Sequence, residues 1–308
     1  MAQKHLNNDH LVGQDDFYAN VFKQFLACSK PQSCLPEYVS THVDKLVHDS
    51  SLNHDTNAPL RVLSVGCGHG ARDVHVLKAI HEQRPHIQFD YVGVDINSVL
   101  VQEAQQVFCS QHVRGYVSEC QFVVAPIEDY LERLNPSSEH GTFDLILMLH
   151  CLYYIPHRKH VLAQCVDHLS PNGKLMILHQ SPAGINNFQN LCNPLFEGRK
   201  CTRNLQFNSM QVEHLLNDLE VPYSMDIVNA TLNVSNCFVN PHDTTMEQAY
   251  RKGLQLLSFM LERDMREESE EVKQQVLDLL SRVSVKKHHT GEYWLFHPQV
   301  FLVVSKKL

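Results

Sequence analysis

Three glycines one residue apart, Gly66, Gly68 and Gly70 in RVLSVGCGHGARD, follow directly on an aliphatic run. Glycine permits positive φ in a tight turn and lets a backbone approach a ligand with no Cβ in the way. Asp95 closes a second aliphatic run, FDYVGVD, where a carboxylate can accept both hydroxyls of an adenosine ribose or, more simply, cap the helix that follows. APIEDY places Ile127 and Glu128 after a third run, where backbone and an acidic side chain can meet an adenine amine or merely start a helix. LMLHCLYYI ends a fourth run with Leu149, His150, Tyr153 and Tyr154. Aromatic rings there can flank an electron-rich group and attract positive charge, or serve as ordinary packing. His150 can orient a nucleophile or take up a proton, or be a histidine satisfied by backbone at a strand end.

Two cofactor chemistries compete for such a turn. Dinucleotide sites use G-x-G-x-x-G, with the pyrophosphate on a helix N-terminus. Here the spacing is G-x-G-x-G, followed by Ala71, Arg72 and Asp73. A carboxylate at the helix start repels a pyrophosphate and tolerates a cationic sulfonium. Asp95 indicates adenosine without choosing between the two cofactors. Taken together, the four markers select S-adenosylmethionine and methyl transfer over hydride transfer.

The elements that must position these residues alternate. Strands are expected over 61–66, 89–95, 120–126, at the start of 143–154, and over 173–181. Helices are expected over 74–83, 98–111, from 127, and over 157–170, the last ended by Pro171, Asn172 and Gly173. The apolar run that opens 143–154 lacks polar alternation, as expected of a strand covered on both faces. This succession predicts an α/β fold with a doubly wound, Rossmann-like parallel sheet and ligands at the carboxyl ends of its strands. Before it, 15–29 and 38–51 have helical spacing, with Pro31 and Pro36 interrupting the pattern. After it come helices over 211–219, 247–264 and 270–284. Strands over 223–235 and 293–305 suit an antiparallel edge on the same sheet. The expected division is an N-terminal helical substrate-side region (1–58), a donor-binding core (59–181) and a C-terminal helical and stranded substrate region (182–308).

Composition bounds the partners. The chain has 308 residues, 43% hydrophobic and 19% charged, with a formal net charge of −8, ordinary for a soluble globular protein. No basic stripe speaks for nucleic acid. No apolar stretch is long enough for a membrane span, and the N-terminus has no signal-peptide core. Ten cysteines without regular spacing read as reduced cytosolic thiols, and the 21 histidines form no metal-ligand pattern. The expectation is a cytoplasmic protein, a monomer, that holds no metal and works on a small molecule.

Several segments resemble the histamine N-methyltransferase family of class I S-adenosylmethionine-dependent methyltransferases. DDFYANVFKQFL is similar to that family's N-terminal substrate-side helix, RVLSVGCGHG and VGVD to its donor motifs, and LHCLYYI to its Q-M-L-Y-Y segment. SNCFVN resembles its S-D-C-F stretch and GEYWLFHPQVFLVV its last strand. The resemblance implies donor contacts at Gly66, Asp95, near Ile127 and Glu128, and at Leu149, with Leu100 where the family has a glutamine. It implies substrate-side aromatics at Tyr18, Phe22, Tyr153, Tyr154 and Phe238. It also marks departures. The family's ammonium-pairing glutamate aligns with Pro31, beside Gln32. Its glutamine before the tyrosine pair is His150, and its C-terminal asparagine is Pro298. Its tryptophans after the fifth strand have no counterpart in SPAGINNFQNL. The function implied is N-methylation of histamine or a related small imidazole or amine. The alternatives are a histidine dipeptide of the carnosine type as acceptor, or a donor-binding homologue without catalysis.

Overall fold

Aliphatic runs without polar alternation form strands when both faces are covered, and apolar residues three and four apart form helices that cover them. The computed structural model describes residues 15–29, 34–47, 58–134, 142–196 and 207–306. Its elements in chain order are α1 (Asp15–Cys28), α2 (Cys34–Thr41), α3 (Val43–Leu46), β1 (Leu60–Val65), α4 (Ala71–Gln83), β2 (Phe89–Asp95), α5 (Ser98–Phe108) and α6 (Gln111–Arg114). There follow β3 (Val117–Val124), α7 (Ile127–Glu132), β4 (Phe143–Leu149), α8 (Arg158–Asp167), β5 (Leu169–Gln180), α9 (Ile185–Cys192) and α10 (Ser209–Asp218). The chain ends with β6 (Tyr223–Val228), β7 (Thr231–Asn233), α11 (Glu247–Leu261), α12 (Glu270–Val283), β8 (Ser284–Lys286), β9 (Tyr293–Phe296) and β10 (Gln299–Ser305).

The chain divides into two compact units. One comprises Met1–Gln32, Gln180–Asn208 and Asn229–Gln299; the other comprises Ser33–His179, Ser209–Val228 and Val300–Leu308. The second carries most of a seven-stranded sheet in the order β3-β2-β1-β4-β5-β10-β6. Its central strands are parallel: β1 pairs with β2 and with β4, β2 with β3, and β4 with β5. From β1 the chain builds outward through β2 and β3, then returns to place β4 on the other side of β1. That reversal opens the crevice at the carboxyl ends of β1 and β4 where doubly wound sheets bind ligands. The core below it includes Val62, Leu77, Ile80, Phe89, Tyr91, Leu145, Leu147 and Phe301, all buried.

The first unit has its own core, in which Phe25, Phe188, Leu256, Met260, Val276 and Leu280 are buried together. Within it β7, β9 and β8 form a separate antiparallel three-stranded sheet.

Four local expectations are corrected. Pro36 does not interrupt a helix; it lies in the first turn of α2, where a missing N–H costs nothing. The helix expected to run to 170 stops at Asp167. Pro171, Asn172 and Gly173 sit instead inside β5, whose register against β4 slips between Phe143 and Leu145. A Cβ on Gly173 would stand 2.7 Å from the Phe143 carbonyl, so that irregularity needs glycine. The two late strands are each divided. Residues 223–235 break at Asn229 and Ala230 into β6 and β7, and 293–305 break at His297 and Pro298 into β9 and β10. β6 and β10 extend the large sheet, whereas β7 and β9 belong to the small one. Pro298 cannot donate to a strand ladder, so the chain leaves one sheet there before entering the other.

Candidate functional site

The three glycines of the β1–α4 turn all have positive φ, 65° at Gly66, 52° at Gly68 and 75° at Gly70. Their surroundings give each a different reason. A Cβ on Gly66 would lie 2.5 Å from the Cβ of Cys151, so this glycine lets the turn pack against the chain leaving β4. A Cβ on Gly70, the N-cap of α4, would meet Phe108 at 3.0 Å and Ala104 at 3.2 Å on α5. A Cβ on Gly68 would meet nothing within 4 Å. Gly68 therefore opens onto space, where a ligand can lie against the backbone.

Asp95, at the end of β2, faces this turn. Its Oδ2 accepts the Gly68 N–H at 2.8 Å and its Oδ1 the Asn97 N–H at 2.8 Å. A carboxylate in this place is of the kind that accepts hydroxyl donors. The N-cap of α5 is Asn97, whose Oδ1 accepts the Leu100 N–H at 3.0 Å. Helix capping is thus done by Asn97, and Asp95 is not needed for it. Leu100, where the resemblance places a glutamine, is buried under that cap.

Asp73 is where the expectation fails. It lies in the first turn of α4, but its side chain is 1% exposed and turned into the core. The Tyr91 hydroxyl donates to its Oδ2 at 2.5 Å, and Ser64 also bonds to it. Burial pushes its carboxyl up to about 7 against those hydrogen bonds. A side chain so enclosed does not meet a ligand, so the choice of cofactor does not rest on it. The thiols beside the turn, Cys67 and Cys151, are both pushed up by burial, which disfavours the thiolate there.

Leu149 ends β4 and is buried. His150 follows with φ 62°, a left-handed conformation uncommon outside glycine, and its N–H donates to Leu178 O at 2.9 Å. A 3-10 turn over Leu152–Tyr154 then brings the Tyr153 hydroxyl within 2.7 Å of His150 Nδ1. Tyr153 is buried, edge-on to His179 with ring centroids 4.3 Å apart and edge-on to Tyr154 at 5.7 Å. Burial holds His179 down to about 3, so its ring is neutral. Arg158, at the start of α8, donates to the carbonyls of Leu152 at 2.8 Å and Tyr153 at 2.9 Å. Sequence reasoning missed this clamp; its only signal is an arginine closely following the tyrosine pair.

After β3, Pro126 caps α7, whose first residue Ile127 is buried and whose first turn contains Glu128. The expected residues Gly66, Gly68, Gly70, Asp95, Ile127, Glu128, Leu149, His150, Tyr153 and Tyr154 all lie in one unit. Tyr18, Phe22 and Phe238 lie in the other. Tyr18 and Phe22 are in α1, where the Phe22 ring packs on Phe259 at 5.7 Å. Phe238 stacks on Tyr293 at 4.1 Å. Pro31 and Gln32 lie outside the described residues. Among the described residues no three His, Cys, Asp or Glu side chains converge as metal ligands, and no helix is long and apolar enough to cross a membrane.

A parallel sheet that reverses at β1 and β4, with a positive-φ glycine turn after β1 and an acid ending β2, defines a Rossmann-like class I S-adenosylmethionine-dependent methyltransferase. A sequence model of the methyltransferase domain matches residues 35–215, and the chain belongs to that family. It is similar to histamine N-methyltransferase of Bos taurus, 23% identical over 234 residues, covering 73% of this chain and 76% of that one. Histamine N-methyltransferase A of Xenopus laevis is 22% identical over 261 residues and 82% of each chain. Among solved structures, the YcgJ protein of Bacillus subtilis matches with a TM-score of 0.51 and 14% identity. That match covers 83% of this chain and 96% of that one, a likeness of fold alone. The methyl donor is S-adenosylmethionine, which when bound supplies an electrophilic methyl on a sulfonium. The open space before Gly68 and the carboxylate of Asp95 fit such a group.

Proposed function

We propose that this methyltransferase transfers its methyl group to a nitrogen of histamine or a related small imidazole or amine. The observation that carries the acceptor class is the turn at 150–154, an imidazole and two tyrosines at the carboxyl end of β4. The likeness to histamine N-methyltransferases over about three quarters of both chains supports it. On this reading Gly66, Gly68 and Gly70 hold the aminoacyl end of the donor, Asp95 its ribose hydroxyls, Ile127 and Glu128 its adenine edge, and Leu149 its apolar side. Tyr18, Phe22, Tyr153, Tyr154 and Phe238 line the acceptor side, and His150 touches the acceptor. The N-terminal helices (1–58) and the C-terminal region (182–308) then serve the acceptor, and the core (59–181) serves the donor. The protein works as a cytoplasmic monomer. An imidazole with pKa near 6.5 is largely neutral at pH 7, so its nitrogen needs little help from a base. The chain's contribution is to hold that nitrogen in line and to place charge around it.

A second acceptor reading has its own support. Pro31, His150 and Pro298 stand where the resemblance places a glutamate, a glutamine and an asparagine. Loss of a buried carboxylate partner costs a bound cation several kcal/mol. That favours an acceptor with further groups to hold it, such as the amide and carboxylate of a histidine dipeptide of the carnosine type. A screen with labelled donor against histamine, carnosine, histidine and simple aromatic amines tests both readings. Turnover of an imidazole acceptor is expected. Tight donor binding by calorimetry with no turnover across the panel would instead identify a donor-binding protein without catalysis.

A further inference from the structure

We propose that Tyr153 is a positioning residue. Its hydroxyl donates to Nδ1 of His150 and fixes the imidazole with its proton on Nε2, so that His150 serves the acceptor as a hydrogen-bond donor and not as a base. The inference rests on the methyl-transfer reading above and goes beyond it in assigning the chemistry of both side chains.

The geometry is specific at each end of the bond. The Tyr153 oxygen and His150 Nδ1 are 2.7 Å apart, a strong hydrogen bond whose direction is a matter of which group donates. Either group can donate across this bond, but a phenol O–H is the stronger donor and an unprotonated imidazole nitrogen the stronger acceptor, so we take the O–H to donate to Nδ1. A neutral imidazole that accepts through one nitrogen carries its proton on the other. The bond is held from both sides. His150 stands in the left-handed region at φ 62° with its N–H on Leu178 O, a conformation that persists only where the surroundings impose it. Tyr153 is wedged edge-on between His179 and Tyr154, and Arg158 holds its carbonyl and that of Leu152. His179 is neutral and does not compete as a cation. The phenol ring therefore serves to aim His150, and the proton shed by a methylated acceptor passes to water.

The tautomer is read directly from the ring nitrogen shifts of the full-length protein labelled with 15N-histidine. The expected spectrum has a pyridine-type Nδ1 and a pyrrole-type Nε2 for His150, assigned by its loss in His150→Gln. Tyr153→Phe is expected to convert this into a mixture of tautomers. A pyrrole-type Nδ1 in the wild-type protein, or an unchanged spectrum in Tyr153→Phe, overturns the inference. This readout needs no acceptor, so an inactive acceptor panel would count against the proposed function and leave the tautomer result to decide here. With an accepted substrate, His150→Ala is expected to lower kcat/KM by roughly tenfold to a hundredfold, the scale of one lost hydrogen bond. His150→Gln is expected to recover most of that loss, since its carbonyl accepts the Tyr153 O–H and its amide N–H donates. A His150→Gln enzyme that binds donor normally yet is as slow as His150→Ala would identify a base instead.

Discussion

Alanine at Gly68 and alanine at Gly66 separate two roles that the glycine turn combines. Both positions have positive φ, so each substitution carries a backbone cost of about 1–2 kcal/mol. At Gly68 nothing lies within 4 Å of the new methyl, and that backbone term is the whole effect on folding. At Gly66 the methyl would lie 2.5 Å from Cys151 Cβ, adding an overpacking cost of about 1–3 kcal/mol. At about 2–4 °C per kcal/mol, Gly68→Ala should lower Tm by roughly 2–8 °C and Gly66→Ala by roughly twice as much. Donor binding should reverse the order of severity per degree lost. The methyl on Gly68 occupies the open space, and calorimetric titration with S-adenosylmethionine should show affinity reduced by about tenfold or more, the effect of about 1.4 kcal/mol. Two results would refute this reasoning: a Gly68→Ala protein that binds donor like wild type, or one that loses as much Tm as Gly66→Ala.

Other perturbations test separate parts of the structure. Asp73 holds its proton up to about 7 in the folded chain, whereas an ordinary aspartate releases it near 3.8. Between those values the folded state binds more protons than the unfolded state, so this group's contribution to stability falls as pH rises and levels off above about 7. At about 1.4 kcal/mol per pH unit the fall amounts to about 4 kcal/mol. Asp73→Asn should flatten that slope in denaturation measured from pH 4 to 8, and an unchanged slope would show that Asp73 titrates normally. Arg158→Ala removes two charge-assisted bonds from the carbonyls of Leu152 and Tyr153 and should cost about 1–3 kcal/mol in chemical denaturation. Arg158→Lys should restore it only in part, because a flexible ammonium lacks the planar fork that spans the two carbonyls. In the other unit, a Cβ on Gly253 of α11 would collide with the carbonyl of Asn236. Gly253→Ala should therefore destabilise by about 1–3 kcal/mol despite alanine's better helix propensity, whereas a rise in Tm would mean that the 3-10 turn over Ser235–Phe238 yields freely.

Local rules carried the sequence reading where one residue's conformation or one period decides the outcome. β2 spans Phe89–Asp95 as expected, because an aliphatic run bounded by polar residues has one way to be buried. The turn after β1 was legible because three glycines in five residues have few uses other than positive φ. That Asn97 and not Asp95 caps the helix after β2 was not legible, since a carboxylate and an amide so close together both suit an N-cap. The division of 223–235 and 293–305 between two sheets was not legible, since both halves of each segment satisfy the same strand pattern. Partner choice is a long-range matter that periodicity does not encode.

The same boundary runs through the candidate site. The sequence by itself determined an α/β succession, a glycine turn, an acid closing β2 and an aromatic segment closing β4, because each depends on neighbours a few residues away. Only the tertiary structure decided that Asp73 turns inward to Tyr91, eighteen residues distant, and that Gly66 is demanded by Cys151 while Gly68 alone opens onto space. It also decided that the Tyr153 hydroxyl lies within hydrogen-bond distance of His150 Nδ1 while Arg158 holds the Tyr153 carbonyl. Burial and hydrogen-bond partnership are properties of which elements meet. Those meetings are set by the packing of the whole sheet, not by the spacing of residues along the chain.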